Sequence, residues 1–248
     1  MTLAGATVFA RYAYPPNELG YCGPDDASVL LRPDPAVAEE QIRLHARQFD
    51  GAWAYLELIA AGSGIADPLD ARVVEAYWIG NDLLDNIDPH DSMTRLKHRF
   101  AAQPGATWTP GFPHHSFQVF AVYPWSGLLS KGTNNAVALS ILEQCRIRWG
   151  RVVAVDGTRV RVLSRPLVLR DGLLVLGEPG EHSAAWSVDG SSLLAPTSDR
   201  TPVAVGDHVA MHWDWVCDIL TPPQLAELTA RSDDQLARTN AALTNSVR

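Results

Sequence analysis

Two segments decide how the chain reads: Cys145-Arg-Ile-Arg-Trp-Gly-Arg-Val-Val-Ala-Val-Asp-Gly157 and Val205-Gly-Asp-His-Val-Ala-Met-His-Trp-Asp-Trp-Val-Cys-Asp-Ile-Leu220. In the first, Val152, Val153 and Val155 run into Asp156-Gly157, a dipeptide suited to a tight hairpin turn, and Val160, Val162 and Leu163 resume beyond it. In the second, Gly206-Asp207 opens a strand in which Val209, Met211 and Trp213 alternate with His208, Ala210 and His212. A thiol therefore enters this module ahead of its first strand, and an imidazole sits on its last. Between them, Arg165 to Arg170 and Leu173 to Leu176 read as a further hairpin around Asp171-Gly172.

The two blocks resemble the small chaperones of NiFe-hydrogenase maturation, the HypC/HupF family. Its members carry a cysteine, a short turn, a Gly-basic-Val-Val strand, an Asp-Gly hairpin, and a closing Val-Gly-Asp-x-Val-x-x-His strand followed by a helix. Cys145, Gly150, Arg151, Val152, Asp156 and Gly157 follow the first block, and Val205, Gly206, Asp207, Val209 and His212 follow the second. The resemblance covers about the last 100 residues and none of the first 140. There are departures: Cys145 lies deep inside the chain instead of following an initiator Met, Trp149 replaces the proline before the turn glycine, and Asp214-Trp215-Val216 stands where the family has Gly-Phe-Ala.

The resemblance implies a small HypC-like (OB-like) β-barrel and a cytoplasmic accessory protein without catalytic residues. It implies that Cys145 and His212 handle iron as the Fe(CN)2(CO) unit. The partner it implies is the hydrogenase large-subunit precursor or another maturation protein. A thiolate and an imidazole suit a soft or borderline metal, and two ligands do not complete a closed zinc site. Arg146, Arg148 and Arg151 are expected to favour the thiolate of Cys145 wherever they approach it. Cys217, five positions beyond His212, reads as core.

Composition bounds these readings. At 248 residues the chain can bury a sizeable core, and 46% apolar with 19% charged residues is ordinary globular usage. A net charge of −8 argues against a general nucleic-acid binder. No segment approaches the ~20 apolar residues that span a membrane. Three widely spaced cysteines make a poor disulfide framework.

The N-terminal part reads as mainly helical. Phe9 to Pro24 is expected to be irregular, because Pro15-Pro16 and Gly23-Pro24 oppose regular structure. Cys22 within it is either an exposed ligand or a small buried residue in a tight turn. One helical pattern runs from Pro35 to about Ala61, and Asp67-Pro68 and Asp91-Ser92 read as further helix starts. Asp82, Asp85 and Asp88 read as a solvated face. His114-His115 precede Phe117, Val119, Ala121 and Tyr123, which alternate as a strand, so the two imidazoles are expected to point apart. With Trp108 and Tyr21 they mark a candidate docking surface. Asn134 to Gln144 then forms a helix that delivers Cys145 to the barrel, and Thr221-Pro222 starts the last helix.

The fold expectation is α+β: a helical N-terminal domain, residues 1–143, followed by the HypC-like β-barrel with its C-terminal helix, residues 144–248. Two other functional readings stay open. One is an enzyme with its site around Cys22, His114 and His115. The other is a metal-free protein-interaction module.

Overall fold

The hairpin dipeptides do what their chemistry demands. Gly157 takes a φ of 60° between strands β1 (Arg148–Asp156) and β2 (Arg159–Ser164), and Asp171 and Gly172 take φ of 52° and 78° between β3 (Leu167–Arg170) and β4 (Leu173–Leu176). The computed structural model describes residues 4–31, 35–103, 106–108, 111–129, 135–188, 191–194 and 202–246. The sequence features at Pro104-Gly105, at Gly132-Thr133-Asn134 and in parts of the Pro179 to Pro202 stretch lie outside them.

Five further strands follow β4 among the described residues. These are β5 (Gly180–Ala185), the short pair β6 (Ser187–Val188) and β7 (Ser191–Ser192), and β8 (His208–His212), with β9 (Trp215–Ile219) completing the sheet region. Five strands pair in the order β1-β2-β5-β9-β8, and β8 returns to β1 through Arg148 opposite Met211 and Gly150 opposite Val209, so the sheet closes on itself. Among the described strand pairs, only β5 and β9 run parallel. The inward positions, Val152, Val160, Val162, Val209, Met211 and Val216, form one apolar cluster. The alternate residues of β8 and β9 face the other way: Ala210, Cys217 and the following Leu220 join the core of the helices.

Before the sheet come α1 (Gly5–Glu18), α2 (Pro35–Ala46), α3 (Asp50–Gly62), α4 (Ala71–Trp78) and α5 (Pro89–Arg99), with single 3-10 turns at Ala27–Leu31 and Asp82–Asn86. The short α6 (His115–Phe117) runs directly into a π-helical turn, Gln118–Val122, and α7 (Trp125–Leu129) and α8 (Asn135–Cys145) lead to β1. After the sheet, α9 (Pro222–Ser246) starts where Thr221 and Pro222 predict, with the Thr221 hydroxyl accepting from the Gln224 N–H at 3.4 Å. The chain is thus α+β, with helices first, sheet in the middle and a helix last.

Several expectations need correction. Phe9 to Glu18 is not irregular: it belongs to α1, which continues through Pro15 and Pro16 and is buried on nearly every side. The prolines sit in the last turn of a helix held by its surroundings, where lost intrahelical bonds can be replaced from outside. Residues 117–122 are helical and not a strand; all are buried, so the apolar positions carry no usable period. The single helix from Pro35 divides near Gln48. Helix α4 is capped by Asp70, whose side chain accepts from the Arg72 N–H at 2.9 Å, not by Asp67. Helix α5 is capped by Asp88 with Pro89 in its first turn, not by Asp91. Asp82 and Asp85 carry ion pairs to Arg72 and Arg231 at 3.3 and 2.7 Å.

Candidate functional site

Construction of the site begins at Pro16. A proline has no N–H, so Pro16 leaves the carbonyl of Tyr12, four residues earlier, without its helical donor. That carbonyl instead accepts a hydrogen bond of 2.7 Å from Nδ1 of His212, which β8 brings alongside α1. Because a carbonyl only accepts, Nδ1 carries the proton, and Nε2 is left with the lone pair in the neutral ring. Burial pushes His212 down to about 4, against the pull of the Tyr12 and Cys145 carbonyls.

His115 is fixed in the opposite tautomer. Its Nε2 donates to the Cys145 carbonyl at 2.8 Å, so Nδ1 accepts from the Tyr77 hydroxyl at 3.1 Å. Burial, with His212 close by, holds it well below the ordinary range. The two imidazoles meet edge to face with centroids 5.2 Å apart, and Trp78 packs on both, at 4.6 Å from His115 and 5.7 Å from His212.

Cys145 ends α8 and lines the same space. A cavity of about 470 Å³ is lined by Cys22, Cys145, His115, His212, Trp78 and Gln118, among others, with Tyr21 also in its wall. Residues of the N-terminal part, together with Cys145 and His212 from the region of the sheet, thus surround one volume of ligand size. The Trp78 indole N–H and the Gln118 side-chain carbonyl are buried and have no hydrogen-bond partner among the described residues. Among the described residues, no lysine or arginine lines the cavity.

Both thiols are protonated at neutral pH. Burial pushes Cys22 up to about 12, and burial together with Cys22 pushes Cys145 up to about 12. The expected help from the arginines does not arrive. Arg146 is bound to Glu143 at 2.8 Å and to the Arg165 carbonyl at 2.8 Å, Arg148 reaches Asp214 at 3.2 Å as well as the Trp213 carbonyl, and Arg151 is exposed. A metal taken up here must displace the thiol proton. No group of three or more His, Cys, Asp or Glu side chains placed to hold a metal occurs among the described residues. Cys22, Cys145 and His212 are the residues of soft or borderline donor type in the cavity lining that are not tied up as His115 is.

The remaining sequence candidates are dispersed. His114 caps α6 through Nδ1, which accepts from the Ser116 N–H at 3.1 Å, and faces a separate crevice beside Phe120 and Leu236. Adjacent histidines therefore do diverge, though at a helix start and not on a strand. Tyr21 is 60% exposed and stacks on Trp213. Trp108 is half-buried, with φ 49° and its N–H on the Ala121 carbonyl at 3.3 Å. Cys217 is fully buried on β9, beyond the Trp213-Asp214 turn. Sequence reasoning missed Trp78, Tyr77 and Gln118. Gln118 had a signal, as a lone amide inside an apolar run; the other two had none.

A family profile described as a family of unknown function, DUF6390, matches residues 1–246. The chain belongs to that family. The match covers the N-terminal helices and the closed sheet alike, so the DUF6390 family takes in every wall of the cavity. No curated protein and no solved structure matches the chain.

Proposed function

We propose that this DUF6390 protein is an accessory protein of NiFe-hydrogenase maturation, HypC-like in its C-terminal part. Its cargo is the Fe(CN)2(CO) unit, and its partner is the large-subunit precursor or another maturation protein in the cytoplasm. The observation that carries the reading is that Cys145 and His212, far apart in sequence, line one cavity. The closed five-stranded sheet is in keeping with a HypC-like barrel.

The chemistry of the cavity supports this cargo. Ferrous iron with two cyanides and one carbon monoxide carries no net charge, and among the described residues no cationic side chain lines the cavity to hold an anion. A metal that arrives with its own ligands needs few from the protein, and here a thiol and one imidazole lone pair are available. An enzyme built on a cysteine nucleophile is less well supported. Such a group needs a lowered pKa, whereas both cavity thiols are held at about 12. Among the described residues, no helix is long and apolar enough to cross a membrane.

The test is anaerobic purification from cells that make the iron unit, with iron analysis and infrared detection of its cyanide and carbonyl stretches. Wild type and Cys217→Ser should retain iron with these bands, whereas Cys145→Ala and His212→Ala should lose most of it. A folded wild-type protein free of iron, from cells that mature hydrogenase normally without it, would sink the proposal.

A further inference from the structure

We propose that Cys22 and Cys145 form a two-thiol site that takes one thiophilic centre, a soft metal ion or a trivalent arsenical, between the N-terminal helices and the closed sheet. This deepens the reading of Cys145 as the cargo thiol and rests on it for the natural ligand. The pairing stands on a shared cavity and on the anchoring of the loop that carries Cys22. Both cysteines line the same cavity of about 470 Å³.

Their chain neighbours are tied to one residue. Tyr21, before Cys22, stacks on the Trp213 ring at 4.3 Å and 25°. The Trp213 N–H donates to the carbonyl of Gln144, before Cys145, at 3.1 Å. Trp213 therefore clamps the Cys22 loop to the end of α8. The loop is pinned from the other side as well, because the Asn17 amide donates to the carbonyls of Cys22 and Pro24 at 2.9 and 2.6 Å. Gly23, at φ 86°, lies so close to Phe49 that a Cβ there would meet the ring at 2.4 Å. A loop fixed in this way holds its thiol in place.

Two thiols facing one cavity bind a soft centre with the loss of two protons. Phenylarsine oxide reports this without redox chemistry. Two arsenic–sulfur bonds form, the arsenic–oxygen bond breaks, and the oxygen leaves with both thiol protons as water. The second bond is intramolecular, so a paired site should bind on the order of 10²–10⁴ times more tightly than a single thiol.

The experiment titrates the reduced full chain with phenylarsine oxide, then alkylates it and maps the protected cysteines by mass spectrometry. One equivalent should protect Cys22 and Cys145 together, be removed by a dithiol but not by a monothiol, and leave Cys217 indifferent. Cys22→Ser and Cys145→Ser should each weaken binding by about a hundredfold or more, while Cys217→Ser should bind as wild type does. The mapping on wild type needs no variant and so does not depend on their folding. Protection of Cys145 alone, or unchanged affinity in folded Cys22→Ser, would overturn the pair. Joint protection in a protein that never retains iron would leave the pair standing and remove the iron cargo.

Discussion

At the level of single residues, the site depends on one missing hydrogen. Pro16 frees the Tyr12 carbonyl, and that carbonyl orients His212 and sets its tautomer. The same packing strips the imidazoles of water, and this has a sign that can be tested. His114 and His212 are held at about 3 and about 4, against 6.5 when unfolded, and burial also holds His115 well below its ordinary value. Below about pH 6.5 the unfolded chain therefore binds more protons than the folded one. The stability these groups contribute is fully present above that value and is lost as pH falls toward about 4. The cysteines act at the other end: with folded values of about 12 against 9.0, the stability they contribute is present below about pH 9 and lost as pH rises toward 12. Urea midpoints should accordingly fall on both sides of a plateau. His212→Gln should flatten the acidic limb, and an unchanged midpoint from about pH 7 to about pH 4.5 would contradict the account.

At the level of elements, the junction between α8 and β1 is an electrostatic knot. Glu143 accepts from Arg146 at 2.8 Å and from the Leu167 N–H at 2.8 Å, and lies 3.8 Å from Arg148. Both arginine side chains are nearly sealed from solvent, at 6% and 4% exposed. Removing the carboxylate leaves the buried Arg146 guanidinium without its counter-charge and Arg148 with Asp214 alone, and breaking a single buried pair costs about 3–5 kcal/mol. Glu143→Ala should therefore lower the thermal midpoint well beyond Arg161→Ala, which removes only exposed, solvent-screened pairs with Asp156 and Glu181. Equal losses from the two would show that the knot is not buried in solution. The hairpins on either side were legible because Asp156-Gly157 and Asp171-Gly172 announce their own turns. So was the β8 alternation of Val209 and Met211 with Ala210 and His212, although which face each set takes came only with the structure, inward for the first and toward the helices for the second. What failed were the segments whose structure is imposed by burial: α1, where tertiary contacts overrode two prolines, and 115–122, where burial on all sides erased the period. Cys145 and His212 could be singled out from motif order. Their companions Trp78 and Tyr77 could not, since two aromatics in an amphipathic helix look like any core.

Across the whole molecule, the sheet and the helices share a core. Ile147, Leu193, Ala210, Cys217, Leu220 and Leu228 pack in one cluster with Phe9, Tyr12, Tyr77 and Trp78. Arg11 of α1 pairs with Asp218 of β9 at 3.0 Å, and the guanidinium pulls back a carboxylate that burial raises. A division at residue 143 would fall inside α8, and the outer face of β8 and β9 would lose its apolar cover. Exposed apolar patches of that kind promote association and weaken folding. A fragment of residues 144–248 should therefore be poorly soluble or lack a cooperative melt, and the full chain should unfold in a single transition. Limited proteolysis yielding a stable fragment that begins near residue 143 would show instead that the sheet folds alone. The distinction bears on function as well as folding. His212 owes its orientation to Tyr12, and Cys22, Trp78 and Gln118 come from the helical half, so even a soluble fragment would keep Cys145 and His212 without the walls around them. Such a fragment should fail to retain iron or to bind phenylarsine oxide as the full chain does, and retention by the fragment would mean that the N-terminal half plays no part in the site.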